Sequence, residues 1–186
     1  MELVIGNKNY SSWSLRPWLL LSVHGLPFKE LRIPLEQENT SVAITQYTDA
    51  GKVPVLKDGD LTTWNSLAIC EYISEQYLDG RGWPSSVRSR AEARSCSAEM
   101  HSSFSEIRGK LPMNCRAIGR KVPPNATLER EVARIDRIWS QYREAYSGAG
   151  PWLFGEFSIA DCMFAPVASR FKTYGINIST TSTEYM

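Results

Sequence analysis

Histidine is nearly absent from this 186-residue chain: His24 and His101 are the only two, and they stand far apart. The four cysteines, Cys70, Cys96, Cys115 and Cys162, form no CxxC pair. Zinc-type spacing is therefore missing, and no metal site is expected. Thiols without a paired spacing, each in an apolar or mixed helical context, point to free cysteines in a reducing compartment. A cytoplasmic location is the expectation. Neither sign of charge is in excess: 21 Lys and Arg oppose 20 Asp and Glu. That balance argues against a dedicated nucleic-acid surface. The basic groups Arg88/Arg90/Arg94 and Arg116/Arg120/Lys121 sit among polar residues and read as solvated faces. No apolar run approaches the length of a membrane span, and Met1-Glu2 leads straight into a short strand-like segment. Neither a membrane helix nor a signal peptide is expected.

Aromatic residues, by contrast, are plentiful, with eight Tyr, six Trp and six Phe. Aromatic-lined clefts are possible, and the length suits one compact unit or two small domains. The first eighty residues alternate. Leu3–Ile5 and Phe28–Ile33 read as strands, and helical patterns fall near Ser12–His24 and within 36–47. Val53–Lys57 and Leu61–Trp64 are strands around the turn signal Asp58-Gly59-Asp60. Asn65 or Ser66 then caps a helix with Ile69, Cys70, Ile73 and Tyr77 on one face. The predicted order is β-α-β-α-β-β-α.

Asp79-Gly80-Arg81-Gly82-Trp83-Pro84 breaks this pattern. Domains are predicted at 1–79 and 87–186, with a linker at 80–86. The second is all-helical, with patterns near Val87–Arg108, Leu128–Tyr146 and Ile159–Phe171. Leu128, Val132, Ile135, Trp139, Tyr142 and Tyr146 form one apolar stripe, a packing surface. Ser158 and Asp161 have the spacing of a capping box. The polar tail from Ile176 to Met186 is expected to be frayed, or the stump of a longer chain.

Three elements of the first domain suggest chemistry. Tyr10-Ser11-Ser12-Trp13-Ser14 places hydroxyls where a strand gives way to a helix. A helix start offers unpaired N–H groups and a partial positive charge, which stabilise an anion. Ser11 or Ser12 serves there either as a cap or as a donor to a ligand. Gly51-Lys52-Val53-Pro54-Val55 puts a proline in a strand-like run. A cis bond before Pro54 would turn the Val53 N–H and C=O toward a ligand's own peptide groups. Asn65-Ser66 opens another helix and suits a carboxylate. Together the three favour a small peptide-like anion.

On these residues the chain resembles the glutathione S-transferase family over essentially its whole length. Val53-Pro54 followed by Trp64-Asn65-Ser66-Leu67-Ala68-Ile69 carries the resemblance, supported by Phe157-Ser158-Ile159-Ala160-Asp161. The Ser-Ser-x-Ser run resembles the serine-using, zeta-like branches. Ala98-Glu99-Met100-His101 resembles a beta-class stretch whose histidine faces the active site. The resemblance implies a thioredoxin-like α/β domain followed by an all-helical one. It implies glutathione as co-substrate, a small electrophile as second substrate, and a homodimer. Ser11 would donate to the glutathione sulfur, leaving capping to Ser12 or the loop. The Val53 main chain would pair with the cysteinyl peptide group, and Asn65 and Ser66 would hold the γ-glutamyl end, with Lys52 assisting. Trp13 is a cleft wall or a packing anchor; His101 faces the site or is a polar residue satisfied between helices. Ser14 is a first-turn hydroxyl, and Arg16 pairs within its domain.

The sequence departs from the family at three places. Asn65 stands where Glu or Asp is usual, Ser102 where beta-class members carry Lys, and family members usually continue through at least one more helix. A transferase or glutathione-dependent isomerase is the leading expectation. A non-catalytic transferase-like binding module is the alternative. A glutaredoxin-like oxidoreductase is disfavoured, because Ser11 and Ser14 stand where that chemistry needs a thiol.

Overall fold

Leu3, Val4 and Ile5 have no polar side chain to offer, and the strand they form, β1 (Glu2–Ile5), is the buried centre of a four-stranded sheet. The computed structural model describes residues 1–186, which divide into two units, Met1–Gly82 and Trp83–Met186. In the first, β1 is followed by α1 (Ser12–Val23), β2 (Lys29–Arg32), α2 (Thr40–Thr45), β3 (Val55–Asp58), β4 (Leu61–Trp64) and α3 (Ser66–Tyr77). Strand order is β2-β1-β3-β4. β1 and β2 run parallel, with Val4 opposite Leu31; β1–β3 and β3–β4 are antiparallel. This is the predicted β-α-β-α-β-β-α order.

Side chains alternate across a strand. Val4 and Val55 therefore share one face, where they pack with Ile33 of the loop after β2 and Ile44 of α2. Leu3 and Ile5 point to the other, the side on which α1 and α3 pack together. β3 begins at Val55, later than the predicted Val53. Pro54 has no N–H to give a ladder, and the Val53-Pro54 bond is cis.

The second unit is helical: α4 (Val87–Ser102), α5 (Ser105–Lys110), α6 (Ala126–Tyr146), α7 (Ile159–Tyr174) and α8 (Thr180–Tyr185). Trp139 of α6 is fully buried, with ring centroids of Tyr185, Phe171 and Phe164 at 5.3, 5.5 and 6.0 Å. Tyr142 and Tyr146 stack on Phe154 at 4.7 and 5.2 Å. The Ser158–Asp161 capping box is present at the start of α7.

Three expectations are corrected here. The single helix predicted over 87–108 is broken, because Phe104 adopts a left-handed conformation (φ 64°) with its ring buried. The Glu131 carboxylate then receives the α5 amides of Glu106 and Ile107 at 3.3 and 2.8 Å, partners that a continuous helix would not need. The tail is not frayed. α8 is capped by Ser179, whose own N–H and Oγ donate to Asp136, and the Tyr185 hydroxyl donates to Asp161 at 3.0 Å. Cys115 lies in an exposed loop, not in a helix.

Candidate functional site at two helix starts

The site is built from the turn that follows β1. A side-chain carbon at Gly6 would stand 2.6 Å from Leu35 Cδ1 and 3.0 Å from Ser11 Cβ and would force one of them to shift, so glycine suits this close approach of the helix start. The Asn7 carbonyl accepts the N–H groups of Tyr10 and Ser11 at 3.0 and 2.8 Å. Its side-chain Oδ1 accepts the Leu35 N–H at 2.7 Å. The turn is thus tied down on both sides before α1 begins.

Ser11 occupies the cap position of α1, yet no side chain caps this helix, neither Ser11 nor Ser12. Of the two expected caps, Ser12 or the loop, Ser12 is not used. The Ser11 hydroxyl instead donates to Ser14 Oγ at 2.8 Å, and Ser14 Oγ also accepts the Gly6 N–H at 3.1 Å. Ser11 is 6% exposed and Ser14 3%. The pair is one helical turn apart, the spacing at which side chains share a face.

Arg16, two residues beyond Ser14, is 1% exposed. Its guanidinium lies over the Trp13 ring, 4.3 Å from the centroid, and donates to Ser66 Oγ at 3.3 Å. Trp13 is therefore a partner of Arg16, held by a cation–π contact. The intradomain pairing expected of Arg16 turns out to join the starts of α1 and α3.

At the start of α3, Asn65 Oδ1 accepts the N–H groups of Leu67 and Ala68 at 3.0 and 3.5 Å. Of the two capping candidates, Asn65 is the one used. Its backbone, at φ 79° and ψ 124°, lies outside every region comfortable for an L-residue. Such strain is kept only where the surroundings enforce it, and it gathers at ligand clamps. Ser66 is buried, with its hydroxyl engaged by Arg16. Val53 is half-buried at the entry to β3, and Lys52 beside it is exposed. His101 belongs to the second unit, in the last turn of α4, where its carbonyl accepts from Arg108 at 3.2 Å.

No protein thiolate is available in this region. Burial pushes the Cys70 thiol up to about 12, with Arg16 only partly opposing it. In the second unit, burial likewise raises the Cys96 thiol to about 12. What the first unit gathers is a set of hydroxyls, helix-start amides and one buried guanidinium, an arrangement that receives an anion rather than supplying a nucleophile. The sequence reading missed both the Ser14 bridge and the Arg16–Ser66 contact. The i,i+3 spacing of Ser11 and Ser14 is the signal that could have found the first; nothing local points to the second, which spans fifty residues.

Comparison with known proteins now adds to the geometry. Residues 10–76 match the glutathione S-transferase N-terminal domain, and residues 125–181 match the C-terminal domain. A glutathione S-transferase-like protein, tpcF of Aspergillus fumigatus, is 31% identical over 163 residues, covering 81% of this chain and 68% of that one. The chain belongs to the glutathione S-transferase family. Human glutathione S-transferase theta-2 is 27% identical over 170 residues, covering 84% of this chain and 68% of its own. Among solved structures, a Burkholderia glutathione transferase homolog with bound glutathione superposes with a TM-score of 0.68 at 23% identity, over 99% of this chain and 87% of that one. The N-terminal family match contains Ser11, Trp13, Lys52, Val53, Asn65 and Ser66 together. His101 lies between the two matched stretches.

Proposed function

We propose that this glutathione S-transferase family member binds glutathione in its first unit and activates the thiol for attack on small electrophiles, or for isomerisation through such an adduct. The observation that carries the proposal is the pair of helix starts, α1 with Ser11 and α3 with Asn65-Ser66, joined by the buried Arg16. A relative of the same fold carries glutathione in its solved structure. The residues present suit that tripeptide. Val53 offers its main-chain groups just outside β3, Ser66 stands at a helix start suited to a carboxylate, and Lys52 adds a nearby positive charge.

The chemical step asked of the protein is small. A thiol near pKa ~8.5 is mostly protonated at neutral pH, and each unit of depression is worth ~1.4 kcal/mol. A hydrogen bond from Ser11 with the N–H groups of the α1 start supplies roughly one to two such units. The activated sulfur belongs to the substrate, consistent with the protein's own buried thiols staying protonated. Trp13 is assigned to the surroundings of this sulfur.

Calorimetry with glutathione, paired with conjugation of a chloronitrobenzene, tests the reading. Glutathione binds the wild type, and Ser11→Ala lowers kcat/KM by about tenfold to a hundredfold, the value of one to two pKa units. Absence of binding, together with unchanged turnover in Ser11→Ala, overturns it. A second reading, glutathione binding without turnover, draws on Asn65, a neutral side chain whose oxygen is already engaged in capping. Binding with no conjugation across several electrophiles would favour that alternative.

A further inference from the structure

We propose that Ser14 is a positioning residue for the thiol-activating hydroxyl. It anchors Ser11 and reverses its own hydrogen bond when Ser11 turns to a thiolate. The proposal rests on the reading of Ser11 above.

In the structure the Ser11 proton is directed at Ser14 Oγ, 2.8 Å away, and both hydroxyls are buried. A serine hydroxyl has one proton to give and two lone pairs to receive with. While Ser11 donates to Ser14, it cannot donate to sulfur. Turning Ser11 toward a thiolate breaks that bond and leaves its oxygen in need of a donor. Ser14 is built to answer. Its oxygen is fixed by the Gly6 N–H at 3.1 Å, so it stays in place, and its own proton then points to Ser11. The chain becomes Gly6 N–H to Ser14, Ser14 O–H to Ser11, and Ser11 O–H to sulfur, every bond running in one direction. Such aligned chains polarise one another. The one covalent bond that breaks is the S–H bond of glutathione, whose electron pair stays on sulfur and whose proton leaves to solvent; within the protein only two hydroxyl protons rotate.

The packing supports the anchor. A side chain at Gly6 would press on Leu35 and on Ser11 Cβ, so glycine suits the close approach of the donor N–H to α1. On its other side Ser14 borders a cavity of about 190 Å³ lined by Ile5, Lys8, Leu15 and Trp18. That space admits an added methyl group, which makes Ser14→Thr a usable control.

The test is titration of bound glutathione by thiolate absorbance in the ultraviolet, with kcat and KM measured alongside. Ser14→Ala removes both the receiving and the giving oxygen. Ser14→Cys keeps the volume with a poor hydrogen-bond partner, and it serves if the alanine variant folds badly. Both raise the bound-thiol pKa by about one unit, a tenfold smaller thiolate fraction below the pKa. kcat falls in proportion while KM for glutathione is little changed. Ser14→Thr restores the wild-type titration. In a Ser11→Ala background, Ser14→Ala adds no further shift, because Ser14 acts only through Ser11. If Ser11→Ala moves the titration and the Ser14 variants do not, or if the two shifts add, the positioning role is overturned and the Ser11 reading stands. If neither residue moves it, both fall together.

Discussion

Asn65 does two things, one with its side chain and one with its backbone: it caps α3, and it holds a strained φ of 79°. Asp caps a helix as well as Asn does, and both tolerate positive φ better than most residues. Asn65→Asp is therefore expected to leave stability unchanged or raise it by about 0.3–1 kcal/mol, since a carboxylate at a helix start is favoured. On the proposed function it also tightens glutathione binding through its ammonium group. Calorimetry on the variant checks both, and weaker glutathione binding would count against the site as drawn. Asn65→Ala, lacking the cap, is expected to cost about 1 kcal/mol in urea unfolding. At this scale the sequence was informative wherever chemistry is local. Ser11 at the helix start, the Asn65 cap and the Ser158–Asp161 box are all short-range patterns of polar residues. The direction of the Ser11 hydroxyl was not legible. It depends on Gly6, which has no side chain to reveal the close approach.

Among the elements, α8 shows where periodicity fails. The α6 stripe is apolar, and its burial followed from spacing alone. The α8 segment Thr180–Tyr185 has almost no apolar residue and docks through hydroxyls. Ser179 and Ser182 bond to Asp136 and Ser140 of α6, and the half-buried Tyr185 reaches Asp161. A polar seam leaves no hydrophobic signature, so the tail read as loose. The break at Phe104 was hidden for the opposite reason: the apolar pattern runs through it, and only Glu131, far along the chain, takes the amides that it frees.

This seam is pH-dependent in a stated direction. Burial opposes the ionised Asp136, but hydrogen bonds from Ser182, Ser179 and Ser140 outweigh it and hold the carboxyl below its ordinary 3.8. Its folded form is thus the stronger acid, so its contribution is present above 3.8 and is lost as the pH falls through the folded value. Amide protection in the 176–186 segment, taken relative to the intrinsic exchange rate at each pH, is expected to fall as acid is added, before general unfolding. Asp136→Asn should show the lower protection already at neutral pH. Protection that stays flat in acid, with the variant unaltered, would show that the seam does not hold α8.

Across the molecule, the first unit carries the proposed glutathione contacts and also an apolar rim. β4 is an edge strand, with Trp64 56% exposed, and Leu61 and Tyr77 are exposed nearby. An open edge with apolar side chains is a surface that proteins normally cover. We propose that a second copy of the chain covers it. Sedimentation equilibrium should return twice the 21.0 kDa of the chain, and Trp64→Lys should shift the population toward a single copy. A mass of 21.0 kDa at micromolar concentration would remove the proposal. The succession of elements in the first unit and the family were legible from the sequence, because each follows from patterns of a few residues in a fixed succession; the sheet order, the split between α4 and α5 and the folding of α8 were not.

The missing side chain at Gly6 has one more consequence. In a library of random variants selected for turnover, the positions that tolerate least are usually sought among reactive groups. Here a residue with nothing to react should rank beside Ser11, since one methyl group at position 6 would push against Leu35 and against Ser11 itself. The spacing between sheet and serine is gauged by an empty place, and selection would guard it as closely as it guards an oxygen.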